Sequence, residues 1–507
     1  MGSVKSLAKD TAIYGLSSIL GRFLNWCLVP LYTITFPAAE YGVVTYIYSY
    51  VALVLVILIY GMETGFFRFA NHDRYKDPME VYSTALVSLG VSSTVFLAAL
   101  LILLQPVSDL MQCPHHTSYI ALMGAAVALD AFTAIPFSYL RFAHKAKRFA
   151  LLRLLNIGLN IGLNLFFILV CPWLWRVAPD TIAWFYVPDY GIGYIFLANF
   201  ISSLLNLVML YPELHGFRWR FNGALWREMI VYSLPLLVLG VAGIMNQTID
   251  KMMLPSLVAD KATAMEQVGI YGANYKIAIV MVMFIQAFRF AYEPFIFAQN
   301  KERGESKLQG YRDAMKWFVI FAMVIFLGVM FYLDFLRYFI SPHYFSGLKV
   351  VPVIMIAEFF FGVFFNLSLW YKLTDRTHWG MWFSLLGLAV TVALNVVLVP
   401  RMGYMGCAWA ALACYGVMML TSYFVGLKKY PIGYDVKRLL IYFFTALALY
   451  GISSGLHAAI GEGNTAAEMA VRTLLLAAYI LMAMRMEGVS PRRIASVVRG
   501  LIRFTKR

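Results

Sequence analysis

Apolar residues in this chain fall in long runs that recur from end to end, separated by short polar turns. The runs occupy 11–35, 41–67, 82–104, 118–141, 150–171, 191–211, 229–253, 268–297, 314–337, 350–372, 379–399, 403–426, 437–457 and 466–485. A hydrocarbon core takes a helix of about 20 residues, whereas a barrel strand needs only about ten. Most of the runs have helix length. The pattern therefore predicts an all-α polytopic membrane protein with 14 transmembrane helices. The longest break, Pro172 to Tyr190, leaves little room for a soluble domain.

Composition agrees with that reading. Hydrophobic side chains make up 61% of the 507 residues, charged ones only 13%, and the mean hydropathy is +0.73. Soluble domains are nearer half apolar and a quarter charged. The net charge of +15 would suggest nucleic acid in a soluble protein. In a membrane protein its placement decides. Of 41 Lys and Arg, 31 fall at the N-terminus, the C-terminus and the alternate turns that an even number of spans puts on the same side. Seven fall opposite: Arg176, Lys251, Lys261, Arg337, Lys349, Arg401 and Arg472. Three lie inside spans: Arg22, Lys276 and Arg289. The positive-inside rule then predicts that both termini are cytoplasmic. It also removes the reason to expect a nucleic-acid partner. The basic tail from Arg492 suits anionic lipid headgroups.

Two stretches echo each other. The second run ends in Phe67-Arg68-Phe69-Ala70 and the eighth in Phe288-Arg289-Phe290-Ala291. Upstream lie Glu40-Tyr41-Gly42 and Gly269-Ile270-Tyr271-Gly272. Asp130 and Glu358 fall at a similar offset, as do Asn164 and Asn395. A six-helix unit repeated in parallel orientation explains these echoes. The expected organisation is an N-terminal lobe over 1–215 (helices 1–6) and a C-terminal lobe over 216–430 (helices 7–12). Helices 13 and 14 with a basic cytoplasmic tail occupy 431–507.

On this plan the chain resembles the multidrug/oligosaccharidyl-lipid/polysaccharide exporter superfamily, and within it the polysaccharide biosynthesis proteins or Wzx-type flippases. The local signs are Gly21-Arg22-Phe23-Leu24-Asn25 with Pro30-Leu31-Tyr32, then Glu40-Tyr41-Gly42. The second half adds Asn246-Gln247-Thr248-Ile249-Asp250-Lys251 and Val268-Gly269-Ile270-Tyr271-Gly272. The resemblance implies a bacterial inner-membrane flippase for polyprenyl-pyrophosphate-linked glycan in surface polysaccharide synthesis. The substrate would be an undecaprenyl-pyrophosphate-linked oligosaccharide, moved by alternating access. Glycosyltransferases and a polysaccharide polymerase would be its partners. The chain is similar also to lipid II flippases. Ion-coupled drug or metabolite export is a further alternative.

Ionisable residues at membrane depth are costly and are the default functional candidates. Arg22 lies near mid-span, where a guanidinium fork suits a pyrophosphate; an ion pair with Asp130 or Glu358 is the structural alternative. Asn25, one turn on, shares that face. Lys276 either lines a cavity or snorkels to the interface. Asn156, Asn160 and Asn164 recur at i+4, to meet sugar hydroxyls or to knit helices together. Asp130 and Glu358 either carry a coupling proton or sodium ion or neutralise a nearby cation. Glu63, Arg68, Arg289 and Glu293 gather at one end of two spans and Asp250-Lys251 at the other, as gates or ion pairs.

Gly-Lys does not occur as a dipeptide, so no P-loop exists, and HExxH is absent. No metal site and no resident cofactor are expected. A membrane glycosyltransferase or polymerase would need a catalytic domain or a long acidic loop, so no enzyme is expected.

Overall fold

The computed structural model describes residues 14–488, apart from 16, 18, 73, 76, 114, 115, 215–219, 300–304, 375, 377 and 461–464. The side chains of 291, 293–299, 305–307, 456–460, 465 and 466 also fall outside the description. Among the described residues the chain is helical and contains no strand.

The first helix, α1, has two parts, 19–26 and Val29–Thr35, parted by a turn at Cys27 and Leu28 where Pro30 opens the second segment. Pro30 lacks the N–H that a continuous helix would use, so the break falls where the sequence requires it. Then follow α2 (Ala38–Ala70), α3 (Pro78–Ile102), α4 (Thr117–Phe142), α5 (Ala146–Val177) and α6 (Gly193–Met209). The second half holds α7 (Gly223–Leu257), α8 (Ala264–Gln299), α9 (Glu305–Phe331), α10 (Val350–Leu373), α11 (His378–Met402) and α12 (Tyr404–Lys429). Last come α13 (Val436–Ile460) and α14 (Thr465–Met486). Among the described residues, 12 helices are long and apolar enough to cross a membrane. The expected count of 14 is thus met only if the shorter α6 and the split α1 are added.

Polar residues at helix ends explain several boundaries. Asp77 accepts from Met79 N to cap α3, with Pro78 in the first turn. Asn222 accepts from the N–H groups of Ala224 and Leu225 at 3.0 and 3.1 Å to cap α7. Inside α2, Tyr60 (φ +34°) and Gly61 (φ +72°) are both left-handed, and the helix restarts at Met62.

Packing repeats with a period of six helices. In the first half, α2 and α3 pack on α4, and α4 and α5 pack on α6. In the second, α8 and α9 pack on α10, and α10 and α11 pack on α12. The halves meet chiefly where α2 crosses α8 and α7. At the α2–α8 crossing the echoed glycines face each other. A Cβ on Gly42 would lie 1.8 Å from the Met265 carbonyl oxygen, and one on Gly269 would lie 1.9 Å from that of Ala38. Gly42 and Gly269 therefore mark the point where the two backbones touch, and Gly272 packs on the Thr45 side chain one turn away.

The start of α7 leans toward the first half. Trp226 Nε1 donates to Ser88 Oγ at 2.7 Å, Arg68 stands 4.2 Å over the Tyr232 ring, and Tyr75 donates to Glu228. Farther along, Asn246 donates to the Ser384 carbonyl of α11 at 2.9 Å.

Three cations lie elsewhere than their position in the sequence indicates. Arg153 belongs to α5 rather than to the turn before it, Lys251 to the interior of α7, and Arg472 to α14. Lys251 and Arg472 are buried beside carboxylates, and Arg153 opens onto a cavity. A partner or water removes the need for a cation to reach the membrane surface.

Candidate functional site: a polar cavity between the halves

A cavity of about 660 Å³ is bounded by helices of both halves. From α1 come Asn25 and Tyr32, and from α2 a wall running from Tyr41 to Glu63. The α4 helix adds Asp130 and Thr133, α5 adds Arg153, Asn156 and Asn160, and α6 adds Asn199, Ser202 and Ser203. From the other half, α7 supplies Thr248 and Lys251, and α8 supplies Gly272, Tyr275 and Lys276. Such a polar wall is foreign to a packed helix core and marks a solvated path.

Spacing brings these side chains together. On α5, Arg153, Asn156 and Asn160 fall at i, i+3 and i+7, on one helical face. On α6, Asn199, Ser202 and Ser203 do the same at i, i+3 and i+4. Asn156 Oδ1 accepts from Ser202 Oγ at 3.0 Å, and Asn199 donates to Tyr48 Oη at 2.5 Å. These bonds hold the amides in place while leaving donors and acceptors for a guest. Asn164, next on the asparagine series, is fully buried and off the cavity wall. It accepts from Tyr32 Oη at 2.9 Å and so ties α5 to α1.

Arg153 is the cation that the sequence analysis passed over. Its guanidinium lies 4.0 Å over the Phe137 ring, is exposed within the cavity, and makes no hydrogen bond to any described residue. Lys276, across in the second half, is also without a hydrogen-bond partner for its ammonium among the described residues; only its carbonyl is used, by Trp26 Nε1 at 2.7 Å. Lys251 differs. Its ammonium reaches the Gln247 carbonyl at 3.0 Å and Asp250 at 3.3 Å, and lies 4.2 Å over the Tyr275 ring. Asp250 in turn accepts from Tyr271 Oη at 2.6 Å.

Glu358 on α10 is buried behind this wall and accepts from Tyr275 Oη at 2.5 Å. Removing the carboxylate strands the tyrosine hydroxyl. Glu358→Ala should destabilise the protein by about 1–3 kcal/mol, and Glu358→Gln by much less. Unfolding in detergent, followed by intrinsic fluorescence, measures both.

Arg22 is not on the cavity wall. It is exposed on α1, within electrostatic reach of the like-charged Arg289 of α8. No ion pair joins Arg22 to Asp130 or to Glu358 among the described residues. Arg289 also lies 4.6 Å over the Phe365 ring. Glu293 has no described side chain. Glu63 pairs with Arg141 at 3.4 Å rather than with Arg68.

Among the described residues, twelve helices long and apolar enough to cross a membrane, packed in two similar sets around a polar cavity, give the fold of the flippase and exporter class. The chain belongs to the polysaccharide biosynthesis protein family, which matches residues 7–298. No curated protein matches it by sequence. In fold it is similar to a solved lipid II flippase MurJ in an inward closed conformation, with a TM-score of 0.71 at 13% identity over 94% of this chain and 98% of that one. It is also similar to an inward-facing multidrug resistance MATE family transporter of the MOP superfamily, with a TM-score of 0.64 at 13% identity over 80% and 94% of the two chains. At such identities the likeness is one of fold.

Proposed function

We propose that this protein is a flippase for polyprenyl-pyrophosphate-linked oligosaccharide, carrying it from the cytoplasmic to the outer leaflet for surface polysaccharide synthesis. The observation that carries the reading is the cavity itself. Two cations without hydrogen-bond partners among the described residues, Arg153 and Lys276, line it together with asparagine, serine, threonine and tyrosine side chains. A pyrophosphate needs fixed positive charge in a water-excluding protein, and guanidinium oxygen contacts are strong. Glycan hydroxyls need amide and hydroxyl partners. A purely apolar drug needs neither.

Arg22 and Arg289 form a second cationic place between α1 and α8, outside the cavity, where a headgroup still attached to its lipid first meets the protein. The two halves then rock about the α2–α8 crossing, in a bacterial inner membrane with both termini cytoplasmic. Polymerase and glycosyltransferases act before and after it.

Arg153→Ala and Lys276→Ala should each insert and fold normally yet reduce outer-leaflet lipid-linked glycan at least ten-fold. Proteoliposomes loaded with lipid-linked oligosaccharide measure this, with lipid II and a cationic dye as alternative cargo. Normal transport of oligosaccharide by both variants would overturn the reading, and transport of the dye alone would make the protein an exporter.

A further inference from the structure

Glu63 on α2, Asp130 on α4 and Arg153 on α5 line the same cavity, and Arg141 on α4 pairs with Glu63. One pair is closed, Glu63 with Arg141 at 3.4 Å, and Ser138 Oγ is 3.1 Å from the same arginine. The other is open. Arg153 lies within electrostatic reach of Asp130 and Glu63, yet no ion pair or hydrogen bond closes onto it among the described residues. Its guanidinium rests on Phe137 instead, and Asp130 neighbours Ser203. Thr133 Oγ1 donates to the Asp130 backbone carbonyl at 3.1 Å, and the Asp130 side chain, bonded to Ser203 but to no cation among the described residues, lines the cavity.

We infer that Asp130 is a release residue: it competes with the anionic headgroup for Arg153 and so keeps the cargo from being held too tightly. This rests on the reading that Arg153 holds a pyrophosphate. A fully free guanidinium in a low-dielectric cavity would bind a diphosphate strongly, and transport requires a modest well. A resident carboxylate near the same cation lowers the net attraction and takes over the guanidinium as the anion leaves. Glu63 is less suited to that role, because its carboxylate already holds the Arg141 guanidinium at 3.4 Å, whereas Asp130 is bonded only to the Ser203 hydroxyl. Asp130 acts through Arg153, so it is a positioning residue rather than a contact to the cargo.

The test uses the full-length protein in detergent with farnesyl pyrophosphate as probe and farnesol as the uncharged control. Asp130→Asn should bind farnesyl pyrophosphate about ten-fold more tightly, equivalent to about 1.4 kcal/mol, release it correspondingly more slowly, and leave farnesol binding unchanged. In proteoliposomes the same variant should flip lipid-linked oligosaccharide more slowly than the unaltered protein. Tighter binding with slower turnover is not what loss of structure produces. Where Asp130→Asn does not fold, Asp130→Ser serves as the second variant with the same expectation. Unchanged or weaker binding by the neutral variants, while Arg153→Ala abolishes it, would overturn the release role and leave the pyrophosphate reading standing. Unchanged binding by Arg153→Ala would remove the headgroup site on which both depend.

Discussion

Replacing Gly42 or Gly269 by alanine is expected to separate the two halves at the point where they touch. Each added methyl would fall within 2 Å of a backbone carbonyl oxygen, 1.8 Å from that of Met265 or 1.9 Å from that of Ala38. Real Cβ atoms do not come so close. The neighbour is backbone, so no rotamer change relieves the overlap, and α2 must move off α8. Inserted methylenes in a close-packed interior commonly cost about 1–3 kcal/mol, and a backbone clash stands at the upper end. Gly272→Ala is the internal comparison, because its new methyl would meet only the Thr45 side chain at 2.6 Å. Thermal unfolding should rank Gly42→Ala and Gly269→Ala well below Gly272→Ala. Equal stability in all three would show that the crossing is looser than described. On the proposed rocking of the halves about this crossing, flipping should fall even where the variants still fold.

These glycines also show how far the sequence reaches. The paired Tyr41-Gly42 and Tyr271-Gly272 echoes, with their neighbours, predict a repeat, and the helix pairing repeats six helices on. The sequence does not say why the glycines recur, since backbone contact between distant helices leaves no local pattern. The helices were legible as apolar runs; in α1 a turn before Pro30 breaks the helix inside its run, and in α6 the helix spans 17 residues, shorter than its run. The cavity was legible in part. Asn25, Asn156, Asn160, Asp130 and Lys276 lie on its wall, while Asn164 and Glu358 lie behind it and Arg22 outside.

Arg153 was missed for a physical reason. It lies seven residues into α5 at the end where five cations cluster, and hydropathy treats it as one more topology charge. The signal that finds it is helical phase: it stands three residues before Asn156, on the face that carries the amides. Arg472 and Lys251 were misplaced by the same logic, because charges near span ends are counted as exposed. Burial of a cation depends on whether a carboxylate from another helix arrives to meet it, and tertiary partners of that kind cannot be read from one run.

The second large effect is expected at Arg472, which fastens α14 to α9. Its Nη1 donates to the Phe331 carbonyl at 3.0 Å and to Asp334 Oδ2 at 2.6 Å, and Nη2 donates to Glu468 one turn earlier. Arg472 and Glu468 are both buried. Removing one partner of a buried pair leaves the other charge unpaired, which typically costs about 3–5 kcal/mol. Arg472→Ala should therefore loosen the α13–α14 hairpin, and Arg472→Ala with Glu468→Gln should recover part of the loss. At the other end of α14 a second fastening remains. Glu487 accepts from Lys316 at 2.6 Å and from Tyr442 Oη at 2.6 Å. Burial opposes its charge, but those bonds and the nearby Lys316 and Arg438 charges hold its carboxyl below the ordinary glutamate value. A lowered value in the folded state means that this contribution is present at neutral pH and is lost as pH falls through that value. The Arg472→Ala protein, with Glu487 as its remaining ionic fastening of α14 among the described residues, should consequently lose more stability on acidification than the unaltered protein does. Protease accessibility of the α13–α14 connection, compared at neutral and acid pH, reads this directly. Cleavage in Arg472→Ala no faster than in the unaltered protein at both would show that apolar packing on α9, not the buried arginine, holds the hairpin.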